Sequence, residues 1–322
     1  MRKYNLPIFI PHRGCPFDCV FCNQRKITGV DTDITPDYVK GIIGEFLKTI
    51  KKEDSTVEIA FFGGSFTGMN LSVQEEFLKV ATEFGTYIDG IRLSTRPDYI
   101  TDDVIELLKR YNVTTVELGV QSSDDGVLQS NNRGHNFSHV INATNMLKAA
   151  GINVGHQMML GMYSSTPEKD IKTVRDIIEI KPVCVRIYPV VTLNGTALEK
   201  IYNTGAYVPY TVIQAAELAK DAVCEFRKNG IDVIRVGLHS SDELDSPGTV
   251  VAGPYHQAFG ELVESLIYRD KIEDEILKEN LKNCEFEFIC PKGDVSKAVG
   301  HKKMNAEYFS KKYNIRLRIK EG

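Results

Sequence analysis

The chain has 322 residues, 42% of them hydrophobic and 25% charged, with a formal net charge of −4. These are ordinary globular values, and they exclude disordered and fibrous classes as well as a globally basic nucleic-acid coat protein. No apolar run approaches the roughly 18 residues that a membrane span needs, and the start lacks a secretory h-region. A cytoplasmic protein without a membrane partner is expected, built as one large domain with a small appendage.

In chain order, apolar runs predict strands at 8–12, 57–62, 90–94, 115–120, 154–160, 183–190 and 233–238. Helical patterns lie between them at 35–52, 72–84, 101–110, 137–150, 167–180 and 211–229. Thr35-Pro36 and Thr166-Pro167 put proline at a first helical position, while Gly151 and Gly230 follow a last turn. Near-continuous apolar strands alternating with helices predict a parallel sheet. Six or seven such units approach a barrel, so the expected fold is α/β, a partial (β/α)6-type barrel.

Beyond Leu238 the pattern changes. A turn-rich loop at 239–248 leads to helices at 259–269 and 273–282, a strand at 285–290, a helix at 306–313 and a strand at 315–319. The expected division is a barrel over 1–240, a helical extension over 241–283 and a small α/β appendage over 284–322. From Pro291 to Gly322, nine Lys or Arg stand against three Asp or Glu, so the appendage is expected to be basic.

Three of the seven cysteines, Cys15, Cys19 and Cys22, crowd into the loop after the first strand. Clustered cysteines in a chain that needs no disulfide staples point to metal or redox chemistry. Thiolates suit an iron–sulfur cluster or zinc, and His12 is a candidate fourth ligand for zinc. Three structural cysteines are a further reading. On a four-iron cluster, three cysteines leave one iron open, which is what a catalytic centre requires.

This CxxxCxxC loop, with Phe21 before its last cysteine, resembles that of the radical S-adenosylmethionine (radical SAM) superfamily. The resemblance implies a [4Fe-4S] cluster on Cys15, Cys19 and Cys22. It also implies SAM on the open iron, reductive cleavage to a 5′-deoxyadenosyl radical, and an electron donor such as ferredoxin or flavodoxin. Gly63, Gly64 and Ser65 at the end of the second strand resemble the family's glycine-rich SAM element, and glycine permits close backbone approach to a ligand. On the fourth strand, Glu117, Gly119 and Gln121 share one face, and the family places polar SAM contacts there. His156, Arg186 and Tyr188 are candidate SAM or substrate contacts, with a core role for His156 as the alternative.

Asn132-Arg133-Gly134-His135 and the stretches 183–196 and 198–210 resemble the radical-SAM portion of the Elongator catalytic subunit, with oxygen-independent coproporphyrinogen oxidase a more distant likeness. The Elongator likeness covers 5–265 and implies a radical enzyme acting on tRNA. The segment after the barrel is too short for Elongator's acetyltransferase domain, so acetyl-CoA use is not expected of this chain alone. The segment 291–319 resembles KH RNA-binding modules, whose GxxG loop clamps a nucleic-acid backbone. Here that loop is Gly300-His301-Lys302-Lys303, and Lys292, Lys297, Gly300, Lys302 and Lys303 are the implied RNA contacts. The expected function is therefore radical SAM modification of tRNA or rRNA. A radical SAM enzyme on a small molecule or protein, and a non-catalytic iron–sulfur RNA-binding protein, are the alternatives.

Overall fold

The computed structural model describes residues 2–10, 14–23, 34–50 and 55–322. Seven parallel strands form one open sheet: β1 (Arg2–Ile10), β2 (Ser55–Gly63), β3 (Gly90–Thr95), β4 (Val113–Gln121), β5 (Asn153–Leu160), β6 (Cys184–Pro189) and β8 (Asp232–Val236). They are hydrogen-bonded in that order, with β1 and β8 at the edges. The sheet curls into a half-barrel. Along the chain come α1 (Pro36–Leu47), α2 (Leu71–Thr82), α3 (Asp102–Arg110), α4 (Asp125–Ser130), α5 (Phe137–Ala149), α6 (Pro167–Glu179), α7 (Ala197–Asn203) and α8 (Val212–Lys228); α1, α2, α3, α5, α6 and α8 cover the outer face, while the short α4 and α7 pack with the cysteine loop. No described helix is long and apolar enough to cross a membrane.

Local signals account for most boundaries. Thr35, Thr101, Thr166 and Thr211 each cap a helix by accepting a hydrogen bond from a first-turn backbone N–H. Pro36 and Pro167 open their helices, and Gly151 and Gly230 follow theirs in the left-handed conformation. The first strand differs from expectation, since β1 runs from Arg2 to Ile10. Its early half alternates polar and apolar residues, and Leu6, Ile8 and Ile10 enter the core between sheet and helices. His12 lies outside the described residues.

After β8, a two-stranded ribbon of β7 (Thr192–Leu193) and β9 (Val250–Ala252) and a short α9 (Asp242–Asp245) lead to α10 (Phe259–Lys278). Two helices were expected here and one is found. The charged run at 269–271 lies within one continuous helix, where Arg269 pairs with Glu217 and Lys220 with Asp270. The first half of α10 gives Phe259, Leu262, Val263, Leu266 and Ile267 to the main core. Its second half gives Tyr268, Ile272 and Ile276 to a separate core with Phe288, Cys290, Ala298, Phe309 and Ile315. That second core is closed by β10 (Glu285–Cys290), α11 (Val295–Val299), α12 (Met304–Tyr313) and β11 (Arg316–Glu321), the two strands pairing in parallel.

Candidate functional site

A cavity of about 1170 Å³ runs along the concave face of the sheet, and Cys15, Cys22, Gly63, Gly64, Gln121 and Arg186 are among its lining residues. Because the strands are parallel, their C-terminal ends form one mouth, which is where α/β sheets place ligands. The cysteine loop follows β1 at this mouth.

Close backbone contacts fix that loop. A Cβ on Gly14 would fall 2.0 Å from the Ser65 carbonyl, and one on Gly68 would fall 2.0 Å from the Gly14 carbonyl. Only glycine on both sides lets the loop lie against the short 3₁₀ turn Phe66–Gly68. Farther along, Val20 N–H donates to the Asn131 carbonyl (3.3 Å), Leu198 N–H donates to the Val20 carbonyl (2.7 Å) and the Asn132 side chain donates to the Asp18 carbonyl (3.0 Å). Phe21 lines the cavity and packs in a satellite cluster with Val127, Met162 and Leu198.

Two arginines make this corner cationic. Arg133 places a guanidinium nitrogen 3.3 Å from the Cys19 sulfur and donates to the Gly119 carbonyl at 2.9 Å. Arg96 lies over the Phe17 ring, 4.7 Å from its centroid, and pairs with Asp98. Burial pushes the Cys15 thiol up, against the pull of Arg133, Arg96 and a hydrogen bond from the Ser65 backbone. Among the described residues no three His, Cys, Asp or Glu side chains already converge as a metal site. Cys15 and Cys22 line the cavity, and Cys19 is buried beside Arg133.

Three buried polar atoms near the mouth have no partner: Gln121 Oε1, Arg133 Nε and His135 Nδ1. An unsatisfied buried polar group is costly and calls for an explanation. Gln121 also holds a positive φ of 65°, uncommon for such a residue, and it lines the cavity. His135 accepts nothing at Nδ1, its Nε2 lies 3.3 Å from the Val120 carbonyl, and burial beside Arg133 and Arg96 pushes it down to about 2.

Deeper in the cavity, Glu117 is 1% exposed and fully engaged. Its carboxylate accepts from Arg186 at 2.6 and 3.0 Å, Arg92 at 3.0 Å and Gln157 at 3.0 Å. Burial pushes this carboxyl up, yet Arg186 outweighs it and holds the group below the usual range. Arg92 also pairs with Glu58. Glu117 is thus spent on two arginines and leaves no lone pair for a ligand. Arg186 remains at the cavity wall with its guanidinium 5.0 Å from the Phe62 ring centroid, and Tyr188 lines the cavity above it.

Two other expected contacts face elsewhere. His156 hydrogen-bonds Thr144 of α5 at 3.0 Å, on the helix side of the sheet, and burial pushes it down to about 3. The alternation that puts Gln157 and Met159 in the cavity turns His156 away from it. The Ser65 side chain bonds Thr95 (2.9 Å) and accepts from Arg96 N–H (3.3 Å), so it ties β2 to β3. Arg96, Arg133, Gly14 and Gly68 were not singled out as site residues. The strand-end rule that found Gly63 and Gly64 also points to Arg96, just past β3.

In the C-terminal unit, Gly300, Lys302 and Lys303 form the link between α11 and α12. Lys297 is paired with Asp294 at 2.6 Å. Several of the unit's other basic side chains are also paired: Glu285 takes Arg316 and Arg318, Glu287 takes Lys320 and Glu273 takes Lys312.

The radical SAM superfamily model matches residues 9–177, and the radical SAM C-terminal domain model matches 182–269. The chain is 28% identical over 292 residues to a tRNA uridine(34) acetyltransferase of Methanocaldococcus jannaschii, covering 77% of this chain and 52% of that protein. It is 30% identical over 182 residues to Elongator complex protein 3 of Schizosaccharomyces pombe, covering 55% and 33%. The chain therefore spans about half the length, or less, of these curated relatives. Among solved structures, Elp3 of Methanocaldococcus infernus with an N-terminal deletion superposes with a TM-score of 0.64 at 23% identity, covering 88% of this chain and 65% of that one. With the family's signature spanning the barrel and its mouth, the chain belongs to the radical SAM superfamily of enzymes.

Proposed function

We propose that this chain is an RNA-modifying radical SAM enzyme, with a tRNA the favoured substrate, in which Cys15, Cys19 and Cys22 hold a [4Fe-4S] cluster. The observation that carries the reading is the mouth itself: three thiols on a glycine-seated loop, beside two arginines, opening into a long lumen. The donor set fits the group. Soft sulfur ligands suit iron, neighbouring positive charge favours thiolates, and because the Cys15 thiol is held high, loading would release its proton. When bound, the cluster and SAM would supply a 5′-deoxyadenosyl radical.

The chain's own residues have separable roles in this reading. Gly63 and Gly64 let a ligand approach the backbone. Gln121 offers its unmet carbonyl to a hydroxyl or amino donor, and Arg133 offers an unmet N–H to a carboxylate beside the cluster loop. Arg186, locked by Glu117, shapes the wall together with Phe62 and Tyr188. The lumen exceeds the roughly 300–1,000 Å³ of a small-molecule pocket, which leaves room for a second ligand beside SAM. The tRNA-acting names of the relatives support an RNA base as that ligand. A small reducing protein, ferredoxin or flavodoxin in type, is the expected electron source.

The test is anaerobic reconstitution, reduction with dithionite in the presence of SAM, and detection of 5′-deoxyadenosine and methionine. Nucleosides of RNA from cells with and without the gene are then compared by mass spectrometry. If 5′-deoxyadenosine forms but no nucleoside changes, the RNA assignment fails and a small-molecule or protein substrate takes its place. If no 5′-deoxyadenosine forms, the catalytic reading fails.

A further inference from the structure

We infer that the lumen carries an anion site centred on Arg235 of β8, which takes the carboxylate of a small amphipathic cosubstrate held beside SAM. The inference goes beyond the RNA reading and does not depend on it. Strand register aims the side chain. β6 and β8 pair Val185 with Val233 and then Arg186 with Arg235, so Ile234 is an extra residue in the ladder. Bulges of this kind re-aim a side chain and recur beside active sites. The slip sets Arg235, rather than Ile234, next to Arg186, and both arginines line the cavity.

Like charges side by side on neighbouring strands repel, and these two arginines are not matched alike. Glu117 takes Arg186 and Arg92, and Glu58 takes Arg92 as well. Arg235 instead donates to main-chain carbonyls, from Nε to Gly237 at 3.1 Å and from a terminal nitrogen to Leu238 at 3.1 Å. Among the described residues no carboxylate pairs with it, and Asp232 at the start of the same strand is no exception. Three arginines therefore stand against two glutamates in this group of lumen side chains. It is one negative charge short, and an unpaired charge inside a cavity calls for a partner.

The groups left over define the ligand. A guanidinium has five N–H donors, and the two carbonyls use one from Nε and one from a terminal nitrogen. The donors that remain include the pair along the outer edge, the fork that a carboxylate accepts bidentately. Burial pushes the neighbouring Tyr188 phenol up and Glu117 adds to the rise, against the pull of Arg186 and Arg235. Its hydroxyl therefore stays protonated and can donate to a bound anion. Leu238, whose carbonyl steadies the guanidinium, packs with Val191 and Leu193, and all three line the cavity. One spare charge beside an apolar wall suits a short-chain monocarboxylate better than a phosphate dianion. The edge strand β8, opposite β1, also sets this arginine apart from Arg133, the cation beside the cysteine loop.

The experiment uses the anaerobically reconstituted full-length chain with SAM present, and reads saturation-transfer NMR from butyrate, with butyramide as its neutral isostere. Wild type should bind butyrate about 10-fold or more tightly than butyramide. Arg235→Gln should lose that preference, and Arg235→Lys should keep only part of it because an ammonium lacks the fork. Both variants should bind SAM as wild type does by calorimetry, and inorganic phosphate at the same concentration should not displace butyrate. Equal binding of acid and amide by wild type overturns the site, and this comparison needs no variant that might misfold. Full preference in Arg235→Gln overturns it too. Weakened SAM binding in that variant would give Arg235 to SAM instead, and displacement by phosphate would make it a seat for any anion, an RNA phosphate included. The RNA reading is decided separately, by the nucleoside comparison.

Discussion

The mouth and the floor of the lumen are built on opposite plans. At the floor, Glu117 meets two arginines and a glutamine, and Arg92 passes the charge on to Glu58. At the mouth, Gln121, Arg133 and His135 each keep a buried polar atom unmatched, and the thiols sit among cations. A buried network with every group satisfied rigidifies a fold, whereas unmet groups mark where something else must complete the set. The contrast teaches that a polar residue in a barrel strand is a candidate ligand contact only if its valences remain open. Glu117 fails that criterion and Gln121 meets it.

The largest effect expected at the mouth is chemical. Replacing Cys15, Cys19 or Cys22 by Ala should abolish the brown absorbance of reconstituted protein while circular dichroism stays close to wild type; full iron in the triple variant would refute the ligand assignment. The floor should answer in stability instead. Glu117→Ala strands Arg186 without its carboxylate and should cost about 3–5 kcal/mol in denaturant unfolding, and a loss below about 1 kcal/mol would mean that the network is not a closed one.

Gly68→Ala sharpens the comparison from a third side, because it removes no sulfur and no charge. A Cβ 2.0 Å from the Gly14 carbonyl must push the cysteine loop away. We expect a cost of about 1–3 kcal/mol and clearly substoichiometric iron by colorimetric assay; normal loading would show that the loop seats itself. Gln121→Asn keeps a residue tolerant of positive φ but withdraws the carbonyl by one methylene. SAM affinity by anaerobic calorimetry should fall about 10-fold with stability changed by less than about 1 kcal/mol, and an unchanged affinity would remove Gln121 from the site.

The smallest effect is a pH slope. His135 and His156 are held neutral, near 2 and 3, by burial, while the unfolded chain takes up protons near 6.5. Their contribution is present above pH 6.5 and is lost as pH falls, by up to about 1.4 kcal/mol per pH unit for each. Unfolding free energies between pH 7.5 and 5 should show this decline, and His156→Gln should flatten it. An identical slope in the variant would mean that His156 is not buried neutral.

Much of this was legible before any coordinates. The βα alternation gave the half-barrel because each strand keeps an apolar side for the covering helices, and the cysteine spacing with the Gly63-Gly64 turn located the mouth because strand ends are where a parallel sheet exposes its loops. Parity found the lumen side of β4 but was not applied to β5. There the register pairs Gln157 with Arg186 and Met159 with Tyr188, and sets His156 against Val185, so the same rule turns His156 outward. The ion pairs of the basic tail were not legible, because several of its partners lie upstream of it. Glu273, Glu285 and Glu287 belong to a helix and a strand that fold back on it, and pairing across elements is invisible to a running count. Gly14 against Gly68 is likewise a contact between distant segments, for which one sequence carries no signal.

The helix shared by both cores sets a rule for dissecting the molecule. Cutting the chain before Glu285 would not release a tidy barrel: Tyr268, Ile272 and Ile276 would lose their covering of Phe288, Phe309 and Ile315 and turn a greasy stripe toward water. Such a fragment should self-associate, and its insolubility would say nothing about whether the missing piece touches substrate. Questions put to the far end of this protein are better asked by changing side chains than by shortening it.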